Sequence, residues 1–422
     1  MTRRSAFVHR FPARAPDDVA PIEEAIRSGL LRPEGIVAVL GKTEGNGNVN
    51  DFTRAFAVRA VKDALRPHLA PEAVERISYV MSGGTEGALA PHWIVLGRTE
   101  APAGESVSPA LAVGGADAPP LAFEDLGRIG QVRLVAEGAR AAMRDAGIDD
   151  PADVHFVQIK CPLLTAERIA AVAARGKSVA VRETLKSMGL SRGASALGVA
   201  LALGAITEAE IGDEAIGRDT ALYSGRASTS AGVELENHEI VVLGMSDRWA
   251  GPLAIDHAVM NDSIDVEPVR AALKRLGFQF SMDNITDFRI DGRELADRGV
   301  RYLKVPAPLL LGQQDAASSD IHAADLSSLL TRFGVDLIAE KIEGERSVLD
   351  LLDYNVRFGQ GFLFSAPRPL RPEAAVPTPV AASSQPKAAA PPLAENVAMA
   401  TRMAAETRLS GTAALARRIA QS

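Results

Sequence analysis

The sequence predicts an α/β protein made of repeated units, followed by part of a parallel barrel. Three observations predict it. MSGGTEG at 81–87 returns as TSAGVEL at 229–235, and behind them HWIVLG runs from His92 and HEIVVLG from His238. The likeness reaches Gly97, fifteen residues past Ser82, and Gly244, fourteen past Ser230. Segments so alike in turn chemistry and in the strand behind it imply a duplicated unit. Both copies also follow the order strand, loop, helix, strand. From about Phe278, finally, strand ends alternate with helices as in successive units of a parallel barrel.

The first unit, residues 1–104, opens with helical spacing in VAPIEEAIRSGLL and continues into the apolar strand GIVAVLGK. EGNGNVNDFTR, rich in glycine and asparagine, reads as a loop at a site rim. AFAVRAVKDAL has helical intervals, and ISYVMSGG reads as a second strand. Ala101 to Pro120, rich in alanine, proline and glycine, reads as a spacer. The second unit, 112–250, has strand VHFVQIK, helices around TAERIAAVAARG and ASALGVALALG, then ALYSGRASTSAG and EIVVLG. Residues 251–277 begin a third unit that stops short, and 278–367 carry the barrel-like pattern. A proline and alanine rich linker is expected over 368–392, and a terminal helix over 393–422.

A net charge of -7 over 422 residues offers no basic footprint for nucleic acid, so the expected partner is a small molecule. One cysteine, Cys161, excludes an intrachain disulfide and any multi-cysteine metal site. The N-terminal segment lacks the apolar stretch of a secretory signal, and no uninterrupted apolar run of ~18 residues occurs. The expectation is a cytoplasmic protein with no membrane contact.

Chemistry enters through paired residues. Lys42 and Lys160 each end the first apolar strand of a unit, and Ser82 and Ser230 each follow the last strand before a small-residue turn. A serine hydroxyl needs a base to become a nucleophile, and a lysine amine can be that base when neutral. At a pKa of ~10.4 the neutral fraction at pH 7 is below about one in a thousand, so the site must depress it. Burial and a neighbouring arginine both do so; Arg54, and Arg192 at an expected helix start, are the candidates. These guanidiniums also suit a planar, oxygen-rich ligand. Gly83 and Ala231, beside the serines, let backbone amides approach a developing oxyanion. Acyl chemistry without an organic cofactor is the reading.

GKTEGNGNVNDFTRAFA, VMSGGTEG, VQIKCPLLT, SRGASALGVALALG and ASTSAGVEL resemble the cyanuric acid hydrolase and barbiturase family of ring-opening amidohydrolases, over about residues 6–275. The resemblance implies three YjgF-like α/β units around a pseudo-threefold axis, two complete here and one truncated, and a homotetramer. It implies Ser230 as nucleophile and Lys160 as general base, with Arg54, Ser82, Gly83, Arg192 and Ala231 binding substrate and Lys42 polarising it. The implied reaction is attack on a cyclic imide carbonyl, an acyl-enzyme and its hydrolysis. Cyanuric acid would give carboxybiuret, then biuret and carbon dioxide; barbiturate is the alternative substrate.

The third lysine, arginine and serine turn are not found after Gly277, and the family's structural divalent metal site is expected to be lost with them. Instead FSMDNITDFRIDGRELADRGVRYLKVP, LIAEKIE and GQGFLFSAP resemble the second half of an EAL-type cyclic di-GMP phosphodiesterase. Asn284 stands where that family has the second acid of a metal-binding pair, the Glu-Ala-Leu motif is missing, and Lys304 and Glu340 remain. Asp283, Glu340 and Glu343 are read as structural or solvated carboxylates and no metal site is assigned. An inactive fusion with an EAL-like binding module is thus the alternative function. Cys161 is read as a buried filler, and His92 and His238 as structural residues at equivalent places. Asp256 and His257, opening the third segment, receive no chemistry.

Overall fold

The sequence folds, in a computed structural model, into two units, Met1–Leu276 and Gly277–Ser422. Residues 3–83, 90–102, 104, 107–262, 264–312 and 323–368 are described. The expected 369–392 part of the linker and the terminal helix over 393–422 lie outside them, as do residues 84–89 of the first serine turn.

In the first unit, β1 (Arg4–Pro12), α1 (Ala20–Arg27), β2 (Ile36–Lys42), α2 (Thr53–Leu65), α3 (Pro71–Glu75), β3 (Ser78–Ser82) and β4 (His92–Glu100) build one four-stranded sheet in the order β1-β4-β2-β3. A second sheet follows: β5 (Ala110–Asp117), α4 (Ile129–Ala146), β6 (Val154–Cys161), α5 (Ala166–Ala174), α6 (Thr184–Ala202), β7 (Ala227–Ala231) and β8 (Glu239–Ser246), ordered β5-β8-β6-β7. The two orders correspond strand for strand. So does the register: Lys42 pairs with Ser82 across parallel β2 and β3, and Lys160 with Ser230 across parallel β6 and β7. Even the irregularities correspond, because one extra residue interrupts the β2–β4 ladder between Ile36 and Ala38 and the β6–β8 ladder between Val154 and Phe156.

One expectation is corrected, and two elements come without one. The Ala101–Pro120 spacer contains β5, which pairs along its whole length with β8. Its glycines are packing residues: a Cβ on Gly114 would lie 2.3 Å from the carbonyl oxygen of Ala142, so α4 can cross the strand only where there is no side chain. That helix had no expectation in the sequence: the residues after the spacer form eighteen residues of helix burying Val132, Val135, Ala139, Ala142 and Met143. Burying each valine supplies ~1.5–3 kcal/mol, which places α4 among the main stabilising elements. Strand β1, also without an expectation, sits on a sheet edge beside β4 although Arg4, His9 and Arg10 interrupt its apolar pattern. Arg4 and Arg10 lie on its exposed face, which an edge strand tolerates, whereas His9 packs beside Phe7 and Phe11 on the other.

The long helix α6 is buried on nearly all sides and packs on α4. Between them Gln131 donates Nε2 to Ser191 Oγ at 2.9 Å and shares a 2.9 Å bond with His238 Nε2, which ties the two helices to the residue before β8. Val37, Ala38 and Leu96 of the first sheet join the apolar core of the second, which fixes the two sheets against each other.

After β8 the chain runs without regular structure to α7 (Glu267–Arg275), the helix of the expected third segment. The second unit contains β9 (Phe280–Met282), α8 (Gly292–Asp297), β10 (Val300–Pro306), α9 (Ala307–Leu311), α10 (Ala323–Thr331), β11 (Asp336–Glu340), α11 (Glu345–Leu351) and β12 (Phe358–Gly359). Its four strands are all parallel, in the order β12-β11-β10-β9, around a core of Leu303, Val305, Leu310, Leu326, Leu330 and Leu337. The last strand reaches into the expected GQGFLF only at Gly359, and GFLF forms a turn. Among the described residues no helix is long and apolar enough to cross a membrane.

Candidate active site

Each lysine and serine pair ends two neighbouring parallel strands, and partners in parallel register leave the sheet on the same face. The register thus carries out locally what the repeated sequence implies. A cavity of about 310 Å³ collects the strand ends of both sheets: Lys42, Ser82 and His92 from the first, Gln158, Ser228 and Ser230 from the second. Ser228 Oγ donates to Gln158 Oε1 at 2.9 Å, and Lys42 Nζ donates to the Gly83 carbonyl at 2.9 Å.

Lys160 does not line this cavity; it is fully buried. Its amine donates to the Met81 carbonyl of the other sheet at 2.6 Å and lies 3.0 Å from Glu234 Oε1. Burial, helped by the Arg54 guanidinium, pushes the amine below the ordinary lysine range, although Glu234 opposes the shift. The neighbouring Ser230 Oγ is buried and has no hydrogen-bond partner among the described residues. Such an orphan calls for an explanation, and a reactive hydroxyl facing a ligand supplies one.

Arg54 crosses from the first sheet to the second. The loop before α2 wraps the Asp51 carboxylate, which accepts from Gly47 N at 2.5 Å and Thr53 N at 3.0 Å and stands 3.5 Å from Arg54 Nε. The guanidinium is 6% exposed, and its Nη1 donates to the Ala231 carbonyl at 3.1 Å. Gly47 has φ +73°, and a Cβ there would lie 2.1 Å from Arg54 Nη1, so the asparagine and glycine run is what lets the guanidinium through. Arg54 Nε, like Ser230 Oγ, has no hydrogen-bond partner among the described residues.

The structure separates Arg192 from this group. It is the ninth residue of α6 instead of a helix start; it is exposed, its Nε donates to the Met188 carbonyl of its own helix at 3.3 Å, and it does not line the cavity. Cys161 is buried as expected, with Sγ donating to the Ser230 carbonyl at 3.4 Å and burial pushing the thiol pKa up. The histidines are not equivalent: His92 faces Lys42 across β4, whereas Glu239 faces Lys160 across β8, so His238 falls one residue earlier. His92 lines the cavity, while His238 is fully buried and pushed down to about 4 by desolvation.

Two acidic groups were missed as site residues. Glu234 is the glutamate of TSAGVEL, visible in the sequence as part of the repeat but without an assigned partner until the fold brings it to Lys160. Glu239 is pushed up to about 8, first by burial and then by Asp117, its partner across β5 and β8. In the second unit Lys304 Nζ lies 3.3 Å from Asp283 Oδ2 at the ends of β10 and β9, and Glu340 is buried at the end of β11. Asn284 has φ +58°.

The family model for the amidohydrolase ring-opening protein matches residues 7–291. The chain belongs to the ring-opening amidohydrolase family. Membership makes it a hydrolase of cyclic amides. A cyanuric acid amidohydrolase of Bradyrhizobium sp. (strain ORS 375) is 62% identical over 279 residues, covering 65% of this chain and 75% of the relative. That of Azorhizobium caulinodans is 57% identical over 272 residues, covering 64% and 76%. The crystal structure of the cyanuric acid hydrolase from A. caulinodans superposes with a TM-score of 0.63 at 44% identity, over 85% of this chain and 94% of that one. The ring-opening amidohydrolase match runs further than the 6–275 read from motifs, and an EAL domain model matches residues 252–367, overlapping its end.

Proposed function

We propose that the chain opens the ring of cyanuric acid by attack of Ser230 on a ring carbonyl, with Lys160 removing the hydroxyl proton. The observation that carries the reading is the buried Lys160 amine, in parallel register with an unpartnered Ser230 hydroxyl beside a cavity of small-ring size. Attack forms a C–O bond and moves the carbonyl electrons onto oxygen; collapse breaks the ring C–N bond as Lys160 returns the proton to nitrogen. Water then hydrolyses the ester to carboxybiuret, which loses carbon dioxide to give biuret. The curated relatives named above carry the name cyanuric acid amidohydrolase, which puts this ring ahead of barbiturate.

In the structure Lys160 Nζ is turned to Met81 O and Glu234, so the reading requires the amine to exchange one of these partners for Ser230 Oγ when substrate enters. Arg54, Ser82, Gly83, Ala231 and Lys42 grip the ring oxygens; Arg192 does so only from a rotated side chain. The corresponding sheets are two of the three YjgF-like units of a pseudo-threefold arrangement in a cytoplasmic homotetramer. The third unit's lysine, arginine, serine and metal site are replaced by the EAL-like segment.

Incubating the purified chain with cyanuric acid and following ring absorbance together with biuret tests the reading. Loss of ring with biuret appearing supports it, and no biuret from a folded chain removes it. A second reading rests on the EAL match beginning at residue 252, where the third unit is due: the chain is then an inactive fusion whose EAL-like part binds a partner. It requires no turnover of cyanurate or barbiturate. Titration with cyclic di-GMP, where saturable heat is expected only from a nucleotide-binding module, then says whether that partner is the nucleotide.

A further inference from the structure

The geometry points to a divalent transition-metal site of the Zn²⁺ class at His155, Asp256 and His257, apart from the catalytic cavity. His155 Nδ1 lies 2.9 Å from His257 Nδ1 and 3.6 Å from Asp256 Oδ1, and the three donor atoms lie within 4.8 Å of one another. Donors held ~2.0–2.1 Å from a tetrahedral Zn²⁺ are ~3.3–3.4 Å apart, so the two spacings bracket the edge of that tetrahedron. Two imidazoles and a carboxylate make a three-ligand set with one position left for water.

The sequence places these groups by distinct means. His155 is the extra residue where the β6–β8 ladder slips between Val154 and Phe156, and a bulge re-aims a side chain out of the pleat. The corresponding extra residue of the first sheet is Val37, which is buried in the apolar core. The same backbone irregularity therefore carries a core residue in one sheet and a metal-binding type in the other. Asp256 and His257 come from the irregular segment after β8. Arg275 fixes them from outside, donating Nε to Asp256 Oδ2 at 2.7 Å and Nη2 to the His257 carbonyl at 3.1 Å. Asp256 Oδ1 meanwhile accepts from His257 N at 2.7 Å. This outer contact orients the ligand, as a hydrogen bond from outside the coordination shell does. Arg226, the other cation nearby, is spent on the carbonyls of Pro151 and Val154. The metal would staple the segment after β8 to β6.

The full chain, stripped with EDTA and re-equilibrated with Zn²⁺ alone, is tested by elemental analysis and by the visible spectrum of a Co²⁺ substitute. One Zn²⁺ per chain, a tetrahedral Co²⁺ spectrum and a Tm raised by roughly 3–10 °C at Zn²⁺ well above Kd are expected. With seven histidines in the chain, location is settled by variants: uptake is lost in H155Q and in H257Q and kept in H68Q, each checked for fold by circular dichroism. No stoichiometric uptake by the parent, or uptake that persists in both folded ligand variants, overturns the site.

Discussion

Lys160 of β6 donates its amine to the carbonyl of Met81 in β3, 2.6 Å away. The buried amine of one sheet is thereby anchored to the serine-bearing strand of the other, and Glu234 closes the contact at 3.0 Å. Changing Lys160 to Met should lower kcat/KM by ~10³-fold or more, the range of a lost general base. It also leaves the Glu234 side chain, 8% exposed, without the amine beside it, at a cost of ~1–3 kcal/mol. The double variant K160M/E234Q should regain stability in urea melts without regaining turnover. Recovery of both would reduce Lys160 to a structural ion.

Arg54 makes the reciprocal crossing, from α2 to the Ala231 carbonyl. Lysine in its place keeps the charge and loses the fork, so Arg54→Lys should lower kcat/KM by about 10–150-fold, the worth of a charged hydrogen bond. Steady-state kinetics on cyanuric acid checks this; an unchanged constant would detach Arg54 from substrate.

Gly47 permits that crossing. Gly47→Ala meets both the positive φ and the guanidinium, so a stability loss of ~1 kcal/mol or more is expected together with an activity loss like that of Arg54→Lys. Thermal melts and kinetics on one preparation distinguish the two effects.

Glu239 sets a pH dependence. Its folded pKa of about 8 lies above the ordinary carboxylate value of 4.5. Between these values the folded state binds more protons than the unfolded one. The contribution is therefore fully present below about pH 4.5 and lost as pH rises through 8. Glu239→Gln removes this term, so its stability relative to the parent should grow between pH 5 and 9, by on the order of a few kcal/mol. Urea melts across that range test it; a pH-independent difference would mean that Glu239 is not held protonated.

Much of this architecture was legible. Strands β2 and β3 were visible because their apolar runs end at glycine-rich turns and β6 because its run ends at Pro162, and the serine and lysine pairing followed from their repetition. β1 and β5 were hidden because edge strands carry charges or, in β5, the glycines that α4 requires. Helix α4 was passed over beside the misread spacer. The partner of Glu234, the pairing of Arg54 with Ala231 and the meeting of His155 with His257 are contacts between residues 74 to 177 apart, and only the assembled sheets bring them together. Arg192 was misplaced because a motif shows order along the chain and not the direction a helix presents its side chain.

The most direct test compares Ser230→Ala with Ser82→Ala, two hydroxyl deletions at matching register positions, in the conversion of cyanuric acid to biuret. Expected is no detectable biuret from the first and reduced but measurable turnover from the second. Turnover retained by folded Ser230→Ala would contradict the assignment of the nucleophile.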